Sequence, residues 1–200
     1  MRSSNSSAYS VDSGTLLFFY KVSPDQIRGN IVFTPDGRYL ITSRTIIRTE
    51  KTHLQAGELF QYATYLDFFD AKSGQLVKSI HPVHVMHTTA IAVSPDSRLV
   101  ATGTNTGRNE SHKNPKTGVW DTIDNKNPIR LWDIESGKLI KEFGPLEGHV
   151  QYLVFSPDSK NLASCFVGQQ PENLWLWNVE SGQLLETIFS KTGNHIHGRI

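Results

Sequence analysis

Apolar residues in this chain come in bursts of four to six, never in a helical stripe: YLIT at 39–42, LDFFD at 66–70, QLVKSI at 75–80, AIAV at 90–93 and LVATG at 99–103. The pattern continues through IRLWD at 129–133, KLIKEF at 138–143, YLVF at 152–155, NLASC at 161–165, LWLWN at 174–178 and QLLETI at 183–188. Each burst is rich in β-branched or aromatic residues and is closed by Pro, Asp, Ser or Gly. That predicts short strands joined by tight turns, and an all-β chain.

The turns repeat. TPDG at 34–37, SPDS at 94–97 and SPDS at 156–159 each stand between two apolar bursts. They interleave with a second kind, VDSG ending at Gly14, DAKSG at Gly74, DIESG at Gly137 and NVESG at Gly182. Gly14 to Pro35 is 21 residues, Gly74 to Pro95 is 21, and Gly137 to Pro157 is 20. Such a register predicts a repeat of four strands, a to d. Strand a runs into the SPD turn, b leaves it, c ends at the aromatic-acidic pair, and d follows the Ser-Gly turn. The prolines open turns, where their fixed φ suits the first central position.

IRLWDIESGKLIKEF, EGHVQYLVFSPDSKNLAS and LWLWNVESGQLLETI together resemble consecutive WD repeats of a β-propeller, over residues 8–200 and most strongly 128–188. The resemblance implies four-stranded antiparallel blades around a central channel. A lone four-stranded sheet cannot bury both of its apolar faces, so neighbouring blades must cover them.

The expected boundaries begin with 1–14, a polar N-terminus and the end of a preceding strand c, in which Tyr9 stands where Trp177 stands later. Residues 15–30 are the outer strand d and loop of that preceding blade. Residues 31–87 and 88–149 are blades with long b–c insertions at 44–63 and 108–127. Residues 150–195 form a blade of standard length, and 196–200 start another. The next SPD-like turn falls near 202–204, beyond Ile200, so the fold expected is an incomplete portion of a larger propeller. Its open edges are expected to make the chain poorly stable or self-associating.

The family's polar network carries over in part. Its strand-b hydroxyl matches Thr42, Thr102 and Ser164, each seven residues after the turn proline, and its strand-c tryptophan matches Trp132 and Trp177. Phe69 replaces the tryptophan in the first repeat and has no N–H to donate. The b–c turn aspartate is missing, with Ile46, Thr106 and Gly168 in its places, and among the histidines only His84 fits the usual spacing.

Lys and Arg total 20 against 19 Asp and Glu, with no basic block, so neither nucleic acid nor an anionic membrane is indicated as a partner. The single cysteine, Cys165, excludes an intrachain disulfide framework and is expected to be a small core residue. MRSSNSSAYS lacks the apolar core of a signal peptide. No apolar run approaches membrane-spanning length, and a soluble, cytoplasmic protein is expected. Catalytic motifs are absent: no G-x-S-x-G, HExxH, Gly-rich phosphate loop or paired cysteines. His81, His84 and His87, with His195 and His197, and the pair Asp121 and Asp124, lack ligand spacing matched to a metal geometry. No enzyme, cofactor or metal is expected.

The departures in length carry the functional expectation. Gly137 to Gly182 is 45 residues, whereas Gly14 to Gly74 is 60 and Gly74 to Gly137 is 63, with the surplus between strands b and c each time. In the family, b–c and d–a loops open on one face, so both insertions would join Ile27, His87 and His149 there, and loops on a rigid scaffold are where binding resides. Trp120 in the second insertion either pins its own loop or anchors a partner. Phe60 and Tyr62 read as packing within a lengthened hairpin. The function expected is a protein–protein interaction scaffold with partners of unknown identity. The alternative is an enzyme or ligand-binding propeller whose catalytic groups lie outside these residues.

Overall fold

The computed structural model describes residues 5–9, 16–21, 26–50, 59–81, 83, 88–104, 110–113, 120–123, 129–144, 148–167 and 173–189. The sixteen strands among them are all antiparallel in their pairings. The first sheet orders β3 (Gln26–Phe33), β4 (Tyr39–Glu50), β5 (Leu59–Asp70) and β6 (Leu76–Ile80). The second contains β7 (Ala90–Val93), β8 (Leu99–Gly103), β11 (Ile129–Asp133) and β12 (Leu139–Phe143), and the third β13 (His149–Phe155), β14 (Asn161–Val167), β15 (Asn173–Asn178) and β16 (Leu184–Phe189). Two further hairpins form two-stranded sheets of their own, β1 (Asn5–Tyr9) with β2 (Leu16–Lys21) and β9 (Glu110–Lys113) with β10 (Trp120–Ile123). No helix among the described residues is long and apolar enough to cross a membrane.

The a–b turn shows why the sequence repeats [ST]-P-D. The Ser156 hydroxyl donates to Asp158 at 2.6 Å and accepts the Asn161 N–H at 2.9 Å, while Asp158 accepts the Lys160 N–H at 3.1 Å. Thr34 with Asp36 and Ser94 with Asp96 repeat the arrangement. The following residue has positive φ: Gly37 at 70°, Ser97 at 58° and Ser159 at 60°. A serine is costly in that region, and here its hydroxyl gains a partner in the preceding sheet. Ser97 Oγ accepts the Asp36 N–H at 3.0 Å, and Ser159 Oγ accepts the Asp96 N–H at 3.4 Å.

The c–d turns are also uniform. In all four c–d hairpins the aromatic position meets a leucine seven residues on across a register shift: Tyr9↔Leu16, Phe69↔Leu76, Trp132↔Leu139 and Trp177↔Leu184. Gly137 and Gly182 need positive φ, and they also leave room for the previous sheet: a Cβ on Gly182 would lie 2.6 Å from Lys141 Cδ.

The sheets pack face to face in series. One core joins Ile41, Leu66, Phe68 and Ile80 of the first sheet to Val100, Trp132 and Ile134 of the second. The next joins Ala90, Ala92, Leu131 and Phe143 of the second to Leu153, Leu162, Trp175 and Trp177 of the third. Two expectations are corrected. Ile27 is not in a d–a loop but in β3, paired with Thr45, because strand a continues back to Gln26 past an irregularity between Arg28 and Ile31. Cys165 is half-buried, since the face of the third sheet that carries it has no described sheet packed on it.

Candidate partner-binding face

In an antiparallel four-stranded sheet, b–c and d–a connections leave at one end and a–b and c–d turns at the other. The two long insertions therefore emerge together with the d–a segments. The first is an extension of strands b and c themselves, since β4 and β5 stay in register from Tyr39↔Asp70 to Glu50↔Leu59. Phe60 pairs with Thr49 and Tyr62 with Ile47 in that extension. The second insertion carries its own ladder, with Trp120↔Lys113 through Ile123↔Glu110. Trp120 thus lies in a strand that is separate from strand c of the second sheet, which is Ile129–Asp133. The side chains of Ile27, Phe60, Tyr62 and Trp120 lie outside the described set, as does His87 entirely. His149 opens β13, half-buried and paired with Val167. Ile27, Phe60, Tyr62 and His149 stand on strands at the b–c and d–a end of their sheets.

The base of the first hairpin is well defined and carries groups that the sequence reading missed. Asp67, with a side chain 1% exposed, is held by Arg44 through Nε at 2.6 Å and Nη2 at 3.1 Å, and accepts the Ser79 hydroxyl at 2.7 Å. The Arg44 guanidinium lies 4.2 Å from the Tyr65 ring centroid, and the His81 ring stacks on Tyr65 at 4.2 Å. Thr45 and Thr64 hydroxyls meet at 3.1 Å one step further out. The d–a segment is fastened there, because Val83 N–H donates to Thr64 O at 3.0 Å and Arg130 Nη1 donates to Val83 O at 2.6 Å. The signal for this cluster was present as Arg44 and Asp67 within the two longest strands.

The strand-c tryptophans Trp132 and Trp177 are buried between sheets. Trp132 Nε1 donates to Thr102 Oγ1 at 3.0 Å and Trp177 Nε1 to Ser164 Oγ at 2.9 Å. Phe69 is buried without such a donor, and the Thr42 hydroxyl donates weakly to Ser43 O at 3.3 Å. A second repeated contact crosses the junctions on the outer strand. Lys78 Nζ reaches the carbonyls of Ile134 and Glu135, and Lys141 Nζ reaches that of Glu180 at 2.6 Å. Burial of Lys78 in that contact pushes its ammonium below the ordinary lysine value, against the pull of Glu135 and Asp133.

No group of three or more metal-ligating side chains occurs among the described residues. Both b–c insertions contain antiparallel ladders.

Comparison with known proteins agrees with this architecture. Residues 137–169 match the family model described as WD domain, G-beta repeat. That span runs from the c–d turn of the second sheet into strand b of the third, so one sequence repeat straddles two sheets. Among solved structures, one titled U3-55K aligns with a TM-score of 0.55 at 19% identity, covering 81% of this chain and 39% of that one. The RRP9 WD40 repeats align with a TM-score of 0.55 at 19% identity over 85% of this chain and 43% of theirs. The β-propeller domain of Cps50 (Swd1) from Myceliophteria thermophila gives 0.51 at 12% identity over 80% and 37%. These likenesses show the fold alone, and the chain spans well under half the length of each structure.

Proposed function

We propose that this chain, whose three four-stranded sheets are blades of the WD-repeat propeller kind, is a protein-interaction scaffold that recognises partners through its b–c and d–a end. The observation that carries the reading is the placement of both b–c insertions, as hairpin ladders, on that one end. Adjacent blades hold their roots in fixed relation through the buried junctions, so the ladders present a preorganised surface. The turns at the opposite end are short and satisfied internally. We assign no reaction to the chain, and we propose a reducing, cytoplasmic setting on the strength of its single cysteine.

Deleting 108–127 and rejoining Gly107 to Pro128 through a short turn tests the reading. Shortening a loop is entropically mild, about 0.6 kcal/mol per halving, so circular dichroism should report an intact scaffold. Pull-down with the intact and shortened proteins should then show partners lost with the ladder, and Trp120→Ala should weaken them substantially. An unchanged set of partners would remove the second insertion as a recognition element and leave residues 44–63 to be tested in the same way.

A further inference from the structure

The third blade ends the described series with one face uncovered, and the two completed junctions specify what fits it. On that face Leu174 is 39% and Ile188 36% exposed, where their counterparts Ile129 and Phe143 are fully buried. Tyr152 and Val154, 64% and 63% exposed, stand where Ala90 and Ala92 are covered by the third blade. Each completed junction also uses two polar contacts at fixed positions. A turn serine at positive φ accepts the N–H of the previous blade's turn aspartate, and a strand-d lysine binds carbonyls of the next c–d turn. On the third blade the turn aspartate is Asp158, so the serine contact can be repeated. The strand-d position, which is Lys78 opposite Phe68 and Lys141 opposite Leu131, is Glu186 opposite Leu176.

We infer that the uncovered face of the third blade docks a further four-stranded blade of inverted charge at this contact: one with serine at the left-handed position of its a–b turn and a basic residue in its c–d turn. A carboxylate set against the backbone carbonyls that Lys78 and Lys141 bind would be repelled, and a cation in that turn removes the repulsion. In the two completed junctions that turn position is acidic, Glu135 and Glu180. Lys160 keeps the sign of Arg38, but the Arg38–Glu135 pair is more than half exposed on both sides and contributes little. The half-buried strand-d position therefore decides. A second copy of this chain fits less well: Lys72 supplies the right sign in its first c–d turn, but Gly37 has no hydroxyl for Asp158.

Cys165, the sole cysteine, lies on this face opposite Leu174, at the position of Ser43, which the second blade buries to 1% exposure. Its alkylation rate by iodoacetamide reads out coverage. A copy of residues 156–189 fused after Ile200 continues the repeat in register, with its own cysteine changed to serine. It would be made with either Glu or Lys at the counterpart of Glu180. With Glu186 intact, the Lys-turn fusion should slow alkylation at least tenfold relative to the unextended chain, and more than the Glu-turn fusion does. Glu186→Lys should reverse the preference. The Glu186→Lys protein with the Glu-turn fusion reproduces the two existing junctions, and its protection of Cys165 establishes that the added blade folds. Equal rates in all four fusions, or protection indifferent to the sign of the turn, would overturn the inference. So would protection of the unextended chain that grows with its own concentration, which would assign the face to a second copy.

Discussion

The first blade and the two that follow share a backbone plan and differ in how their strands are tied. In the second and third, an indole N–H on strand c meets a hydroxyl on strand b, at 3.0 and 2.9 Å, beneath a packed neighbour. In the first, Phe69 has nothing to donate, and the tie is Asp67, which gathers Arg44 from strand b and Ser79 from strand d. The indole contact spans two strands with neutral groups, while the carboxylate spans three with charge. The difference places the charged tie at the root of the longer ladder, where Arg44 also supports Tyr65 and His81. A blade that must carry a long projection is thus fastened across b, c and d close to where the projection leaves.

Loss of a strand-c tryptophan should be the most damaging single change. Trp177 is 4% exposed and packs edge-on against Phe143 at 5.6 Å and near Trp175 at 6.5 Å. Trp177→Ala should cost about 3–5 kcal/mol, read by denaturant unfolding. A loss no larger than that of a surface change would mean that this packing does not hold the second and third blades together.

Next in size is the charged tie. Asp67→Asn keeps the shape but leaves the Arg44 guanidinium, 14% exposed, without its counter-charge. Breaking a buried pair by removing one partner costs about 3–5 kcal/mol, and the residual exposure of Arg44 places the expected loss near or below the bottom of that range. Hydrogen exchange should locate the loosening at residues 59–70 and spare 173–178. Equal loosening of both would show that the first blade is not fastened separately.

Much of this fold could be read directly from the chain. The four-strand repeat followed from turn spacing, because [ST]-P-D and Ser-Gly turns are dictated by local hydrogen bonds and φ, which the sequence carries residue by residue. The WD-repeat resemblance and the all-β propeller architecture agree with the structure and with the matched family model. Strand-a limits were less legible: Ile27 belongs to β3 because the ladder resumes beyond an irregularity that no turn residue announces. Cys165 looked like a core residue because burial of that position depends on a neighbour rather than on its own strand. The Arg44–Asp67–Ser79 tie was hidden for a similar reason, since its members are 12 and 23 residues apart and meet only across strands. The lysine contacts were accessible to closer comparison of LVK, LIK and LLE at 76–78, 139–141 and 184–186.

A smaller effect separates the c–d turns. Asp70 and Asp133 titrate below the ordinary aspartate value, chiefly because each accepts the backbone N–H of the serine three residues on, Ser73 and Ser136. A depressed folded-state pKa means stability that is present above the unfolded value, about 3.9, and is lost as pH falls through the lower folded value. The third blade has Asn178 at this position, donating no titration while its Oδ1 accepts the Ser181 N–H at 2.7 Å. As pH falls below the ordinary aspartate value, about 3.9, the Ser73 and Ser136 amide resonances should move with a carboxylate titration and that of Ser181 should not. A shared shift of all three would mean global acid unfolding instead of local loss.

Neighbouring blades bury the strand-c indoles as hydrogen-bonded ties, a state that indole hydrogen exchange reads. In ¹⁵N-labelled protein, the Trp132 and Trp177 Nε1 protons should exchange slowly. Thr102→Val should release the Trp132 proton and cost about 1–3 kcal/mol by leaving a buried N–H unsatisfied, whereas Thr42→Val, which faces Phe69, should leave both indoles protected. Rapid exchange of both indoles in the unaltered chain, or release of neither by Thr102→Val, would contradict the account.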